Sequence, residues 1–298
     1  MIEPLLRAEN LAKHRGNPRV DWHEIDMCGL SADSRLFRGV DYVFHFGGIG
    51  DIVPSIERPL EYMRANVDGT LAVLEAARHA GVRKFVYAAS SSCYGLATEL
   101  PTSEQAPIRP EYPYALSKYL GETAALHWGQ VYRLPVISIR MFNVYGPRVR
   151  TTGAYGAVFG VFLAQKLHGT PFTVVGDGTQ RRDFVYVTDV ARAYLMAAES
   201  DHVGEVFNLG SGNPETVNRL VELMGGDVVY VPRRPGEPDS TWADTRKVQK
   251  YLEWAPAVSF RQGVASMIQH IEDWRTAPVW TPEKIEAATR SWFQHLAR

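Results

Sequence analysis

The sequence predicts an α/β fold, a parallel sheet covered by helices, with a second and smaller subdomain after about Gly146. Three observations carry this reading. Short, β-rich apolar runs alternate with longer segments of helical period, which is the pattern of βαβ units. After Gly146 the texture changes, and Gly and Pro punctuate shorter elements in TVVGDGTQRRD, NLGSGNP and YVPRRPGEPD. No repeat, low-complexity tract or flexible linker divides the chain, so the two parts pack together with a binding cleft between them.

Taken in order, Val40 to Phe44 reads as the first strand. Leu60 to Ala80 reads as a helix, because Leu60, Met63, Val67, Leu71, Leu74 and Ala77 recur at spacings of three and four and form one apolar stripe for the core or for a dimer contact. Phe85 to Ala89 is a second strand, Tyr114 to Tyr132 a second helix and Val136 to Arg140 a third strand. Further helices are expected near Val158 to His168 and Val190 to Glu199. In the tail, Thr281 as N-cap, Pro282 at the first helical position and Glu283 in the first turn open a last helix. Its apolar face, Ile285, Ala288, Trp292 and Leu296, docks on the protein itself or, as the alternative, on a partner.

With 45% hydrophobic and 22% charged residues over 298 positions, the composition is that of a globular protein with a sizeable core. A formal net charge of -1 lacks the basic excess of a nucleic-acid binder and leaves small phosphorylated ligands as the better fit. Cys28 and Cys93 stand far apart without metal-site or disulfide spacing, so no metal is expected. No apolar run is long enough to cross a membrane, and MIEPLLRAEN lacks the apolar stretch of a signal peptide. A soluble, cytoplasmic protein is expected.

The chemistry-bearing residues are few. Tyr114 and Lys118 form Tyr-x-x-x-Lys in YPYALSKYLGE, which puts both side chains on one helix face. A phenol with a pKa near 10 is a poor base unless a nearby cation favours its phenolate, and Lys118 is that cation. Upstream, KFVYAASSSCYG reads as a buried strand running into a hydroxyl-rich turn, and strand ends of parallel sheets are where ligands bind. Ser90 emerges there. The plainer reading is that Ser90, Ser91 and Ser92 only cap a turn.

These motifs, in this order, resemble the extended short-chain dehydrogenases that epimerise or dehydrate nucleotide sugars, with the UDP-galactose 4-epimerase branch nearest. RANVDGT from Arg64, SSSCYG from Ser90, YALSK from Tyr114, RMFNVYGP from Arg140, GDGTQRRDFVYVTD from Gly176 and VPRRPGEPD from Val231 carry the resemblance, which runs from about Glu9 to Trp274. It implies a Rossmann-like doubly wound parallel sheet in 1–146, a nucleotide-sugar-binding subdomain mixed with late sheet elements in 147–276, and a C-terminal helix in 277–298. It implies NAD as cofactor, a UDP-linked sugar as substrate and a homodimer paired through the helices Leu60 to Ala80 and Tyr114 to Tyr132.

By that resemblance Tyr114 is the catalytic base, Lys118 its partner and a ribose contact, and Ser90 the hydroxyl that orients the sugar's 4-position. Asp26 meets the adenine, and His45, Phe46, Gly47, Gly48 and Asn66 line the cofactor, although His45 reads equally well as a satisfied histidine at a strand end. Ser91 and Ser92 stand beside the sugar, Asn143 contacts the diphosphate, Val174 and Val175 the base, and Arg182, Arg234 and Glu237 clamp phosphate and ribose. Forked guanidinium groups suit diphosphate oxygens. The plainer reading of each arginine is a solvated surface charge. Thr241 matches a position beside the sugar whose size varies among epimerases.

Dehydratases of the family carry an acidic pair where this sequence has Ser91 and Ser92, and the glutamate of the decarboxylases is missing too. C4 epimerisation through a 4-keto intermediate is therefore the expected reaction; another activity on the scaffold (decarboxylase, dehydratase or reductase) or an inactive pseudoenzyme is the alternative. One departure stands out. The family opens with a strand, a Gly-x-x-Gly-x-x-Gly loop, a helix and a second strand, and no such loop occurs in this sequence, so the first βαβ unit is missing. Because that loop normally holds the cofactor's pyrophosphate, the expectation is that this chain alone binds NAD poorly or aggregates.

Overall fold

The computed structural model describes residue 12 and residues 14–149 and 158–296. The expectation about the opening MIEPLLRAEN lies outside the described residues.

The first strand, β1 (Tyr42–His45), is followed by short helices α1 (Ile52–Glu57) and α2 (Pro59–Met63), a π-helical turn over Arg64–Asp68, and α3 (Gly69–Ala80). Next come β2 (Lys84–Ser90), the long helix α4 (Pro113–Tyr132), β3 (Val136–Met141) and β4 (Asn143–Tyr145). Beyond them lie α5 (Val158–Leu167), β5 (Phe172–Val175), β6 (Arg181–Arg182), β7 (Phe184–Tyr186), α6 (Val187–Glu199), β8 (Glu205–Leu209) and β9 (Glu215–Thr216). The chain continues through α7 (Val217–Met224), β10 (Val228–Val231), α8 (Arg246–Leu252), α9 (Phe260–Gln269) and α10 (Pro282–Leu296).

Four strands pair side by side in the order β1-β2-β3-β8, all parallel. Alternation along β2 explains why both sheet faces are covered. Phe85, Tyr87 and Ala89 point into one apolar cluster with Val73, Leu74 and Ala77 of α3 and Ala125 of α4. Val86 and Ala88 point the other way, into a cluster with Val190, Ala193, Tyr194 and Ala197 of α6, Val248 and Leu252 of α8, and Trp254. The expected α/β architecture with a parallel sheet is therefore present. The strand order runs in one direction and does not reverse within the described residues, so the reversal that defines a doubly wound sheet is not seen there. The outer edge of β1 has no strand beside it among the described residues.

One helix departs from its expected face. The stripe from Leu60 to Ala77 does not all go inside: Leu74 and Ala77 are buried, whereas Leu60 is 81% exposed. The π turn inserts an extra residue into the winding and re-phases the helix, so Tyr62, Asn66, Thr70 and Val73 take the buried positions.

The second part is built on small pairings: β4 with β7, β5 with β10, and the antiparallel β6 with β9. Its core stacks Tyr145, Phe159, Phe162, Phe172 and Phe184. Asp183 ties its loops together, accepting hydrogen bonds from the Ser211 amide and hydroxyl, the Gly212 amide and the Ala243 amide. After this part begins, β8 returns to the main sheet. Among the described residues no helix is long and apolar enough to cross a membrane.

Candidate active site

Because the strands are parallel, the carboxyl ends of β1, β2 and β3 open on one side of the sheet, and the candidate residues gather there. At the end of β2 the Ser90 hydroxyl accepts from the Ser92 amide at 3.2 Å and so caps a 3-10 turn over Ser91–Tyr94. It also lies 2.8 Å from the Ser92 hydroxyl. The turn-capping reading of Ser90 is met by this geometry.

Facing them, α4 starts on Pro113, whose fixed φ suits a first helical position and sets Tyr114 in the first turn. Burial raises the pKa of the Tyr114 phenol, and the Ser90 side chain opposes that rise. Burial likewise pushes the Tyr112 phenol well above its ordinary value, with Ser92 opposing. The rings of Tyr112 and Tyr114 stack 6.4 Å apart.

Lys118 is one turn further along α4 and 8% exposed, with its ammonium 4.6 Å from the centre of the Tyr87 ring. Burial lowers its pKa to about 8, against the opposing pull of Glu122. The same burial and the Lys118 charge push His45 down to about 3, so its imidazole is neutral, and its Nε2 lies 2.9 Å from the Thr70 hydroxyl. His45 thus has the satisfied environment that was its plainer reading.

The other expected cofactor residues surround the loop after β1. A Cβ on Gly48, whose φ is +151°, would come 2.6 Å from the Asn66 side-chain oxygen, and one on Gly47 would come 2.6 Å from the Met27 sulfur, so the loop packs too tightly for side chains. Asn66 is buried and clamps the loop: it accepts from the Ile49 amide at 2.8 Å and donates to the Ile49 carbonyl at 3.0 Å and to Ser117 of α4 at 2.9 Å. Phe46 is 55% exposed and packs against Tyr194. Asp26 is exposed, caps a short turn through the Cys28 amide and pairs with Arg64 at 3.3 Å.

Between the sheet edge and the second part lies a cavity of about 350 Å³. Ser90, Ser91, Ser92, Asn143, Val175, Arg182, Arg234, Glu237 and Thr241 line it. Val174 does not, its side chain being fully buried in the core, and Tyr114 and Lys118 are not among the lining residues. Arg182 donates to Glu237 at 2.6 Å and to the Pro238 carbonyl at 2.9 Å, and Arg234 is 3.5 Å from the other Glu237 oxygen. Burial lowers Arg234 to about 10, which leaves it charged at neutral pH. Neither arginine is a solvated surface charge. The Thr241 hydroxyl donates to Asn143 at 2.9 Å.

Residues 4–210 match the NAD dependent epimerase/dehydratase family. The chain belongs to that family. It is 32% identical to the UDP-glucose 4-epimerase of Mycolicibacterium smegmatis over 88% of this chain and 86% of that one. It is 30% identical to the dTDP-glucose 4,6-dehydratase of Streptomyces niveus over 87% of this chain and 77% of that one. Among solved structures, the UDP-glucuronic acid 4-epimerase of Bacillus cereus, in complex with UDP-glucuronic acid and NAD, superposes with a TM-score of 0.83 at 29% identity, covering 90% and 87% of the two chains.

Sequence reasoning missed several lining residues, among them Ile52, Glu111, Tyr112 and Gln180. Tyr112 sits two residues from Tyr114, and its ring was the available signal. Trp292 also lines the cavity, although in the sequence it is only one apolar position on a helix face.

Proposed function

We propose that this protein, an NAD-dependent epimerase/dehydratase family member, interconverts a UDP-linked sugar and its C4 epimer. The observation that carries the reading is a single cavity lined both by Ser90, which bears on the Tyr114 phenol, and by Arg182, Arg234 and Glu237. A base and a hydroxyl at one end and an anion clamp at the other match the two ends of a nucleotide sugar. The assigned residues are Ser90, Tyr114 and Lys118 for catalysis, and Ser91, Ser92, Asn143, Val175, Arg182, Arg234, Glu237 and Thr241 for substrate.

In this reading Ser90 holds the sugar's 4-hydroxyl, Tyr114 takes its proton and later returns it, and the buried Lys118 ammonium favours the phenolate. His45, Gly47, Gly48, Tyr114 and Lys118 are assigned to the nicotinamide end of the cofactor, where the loop after β1 packs closely. Bound NAD supplies reversible hydride acceptance. The arginines anchor the nucleotide so that the sugar can turn over without leaving. Chromatography of UDP-glucose, UDP-N-acetylglucosamine and UDP-glucuronate incubated with the protein and NAD tests the assignment; no 4-epimer from any of them would overturn it. Glu111, a carboxylate in the cavity wall, favours elimination or decarboxylation as the second reading, and the same chromatogram separates those products.

Thr241 sets the space beside the sugar. Thr241→Tyr is expected to lower kcat/KM for an N-acetylhexosamine substrate about tenfold more than for the plain hexose, because added bulk excludes the larger group first. Equal losses for both would remove Thr241 from the sugar site.

The family's dimer is part of the proposal. Leu60, Leu116 and Leu120 are exposed by 81%, 39% and 39% on neighbouring helices, the apolar face that a second copy would cover. The double substitution Leu116→Glu with Leu120→Glu is expected to yield monomer in sedimentation velocity where the wild type sediments as a dimer. A wild-type monomer at micromolar concentration would end this part of the reading.

A further inference from the structure

We propose that the C-terminal helix α10 is part of the substrate site, and that its Trp292 is a positioning residue that holds Arg234 for a nucleotide diphosphate. The inference rests on the nucleotide-sugar reading above and adds to it an element outside the 4–210 segment that matches the family. Trp292 is 2% exposed and lines the cavity alongside Arg234, Glu237 and Tyr112.

Two contacts make it a support for Arg234 in particular. Its indole Nε1 donates to the Pro235 carbonyl at 2.6 Å, which pins the backbone next to the arginine. Its ring lies 5.3 Å from the Arg234 guanidinium carbon, so the ring face meets the cation. Stacking occupies the face of a guanidinium and not its in-plane N–H groups, which are the groups that grip phosphate oxygens. At 7% exposure, water does little to orient Arg234; the aromatic face and Glu237 orient it instead. The helix does not depend on Trp292 alone, since Ile285 is buried and Ser291 donates to Glu57 of α1 at 2.8 Å. Helix α1 carries Ile52 into the same cavity.

The test is calorimetric binding of UDP, and of uridine as the phosphate-free probe, to the full chain and its variants. Trp292→Phe keeps an aromatic face over the guanidinium, whereas Trp292→Leu fills space without one. Trp292→Leu is expected to weaken UDP binding about tenfold and Trp292→Phe by no more than about threefold, with uridine unchanged. In an Arg234→Ala background the Leu and Phe variants should bind UDP alike, because the residue through which Trp292 acts is gone. Equal UDP affinities for the Phe and Leu variants with Arg234 present, or an undiminished difference between them without it, would overturn the proposal. A wild-type chain that binds UDP-sugars while both Trp292 variants match it refutes only the role of α10. A wild-type chain that binds neither UDP nor any UDP-sugar refutes the nucleotide-sugar reading, and this inference falls with it.

Discussion

Tyr114→Phe is expected to reduce kcat for epimerisation on the order of 10³-fold while leaving UDP affinity within about twofold of wild type. The two parts of that expectation come from different places in the site. In the proposed reading the phenol that Ser90 bears on is the base, so its loss removes the base. The nucleotide clamp of Arg182, Arg234 and Glu237 lies across the cavity, and Tyr114 is not in its wall, so binding is spared. Lys118 sharpens the test through pH. Burial raises the Tyr114 pKa, which disfavours the phenolate, and in the proposed reading the Lys118 ammonium one turn along the same helix opposes that. Lys118→Met should therefore move the rising limb of the pH–kcat profile to higher pH. Turnover of the Phe variant within about tenfold of wild type, at any pH, would remove Tyr114 from the role of base.

Glu122→Ala should cost about 3–5 kcal/mol of stability, read as a lower urea midpoint with an unchanged slope. Glu122 and Arg140 are 1% and 6% exposed, so the pair is out of water. Arg140 donates to Glu122 through Nε at 3.1 Å and 3.0 Å and through Nη2 at 2.9 Å, and Ser138 donates to the same carboxylate at 2.6 Å. Removing the carboxylate strands a buried guanidinium whose other contacts are the Tyr94 hydroxyl and the Glu104 carbonyl. The pair joins α4 to β3, so the same change loosens the helix that carries Tyr114 and Lys118. A loss below about 1 kcal/mol would mean that water or repacking compensates the stranded charge.

Glu122 and Arg140 also illustrate what sequence reading leaves out. Arg140 was visible as the first residue of RMFNVYGP and Glu122 as a charge on a helix, yet nothing in their spacing announces that they meet in the core. Strands and helices of the first part were legible because their period is local: β2 alternates between two clusters, and the long helix from Pro113 follows its apolar spacing. The stripe from Leu60 was misread in part because one π turn, which has no strong sequence signature, rotates the residues before it relative to those after it.

The candidate site divides the same way. Ser90, Tyr114 and Lys118 were proposed from motifs, and so were the arginines, because each falls in a short run of fixed spacing. Asn66 was found too, although its side chain is spent on holding the loop at Ile49. Tyr112 and Trp292 were not found as site residues, since the first needs the Ser92 contact and the second lies 57 residues from its hydrogen-bond partner.

By itself, then, the sequence determined the α/β class, the family and the identity of the hydroxyl, phenol and ammonium groups, because these are encoded in periodicity and in motifs a few residues long. Only the tertiary structure decided that Lys118 rests over Tyr87, that Asn66 is a clamp, and that Trp292 of the final helix lines the cavity. Those facts depend on which distant segments share space, and burial, pKa and cation–aromatic contacts are properties of that shared space rather than of any local run of residues.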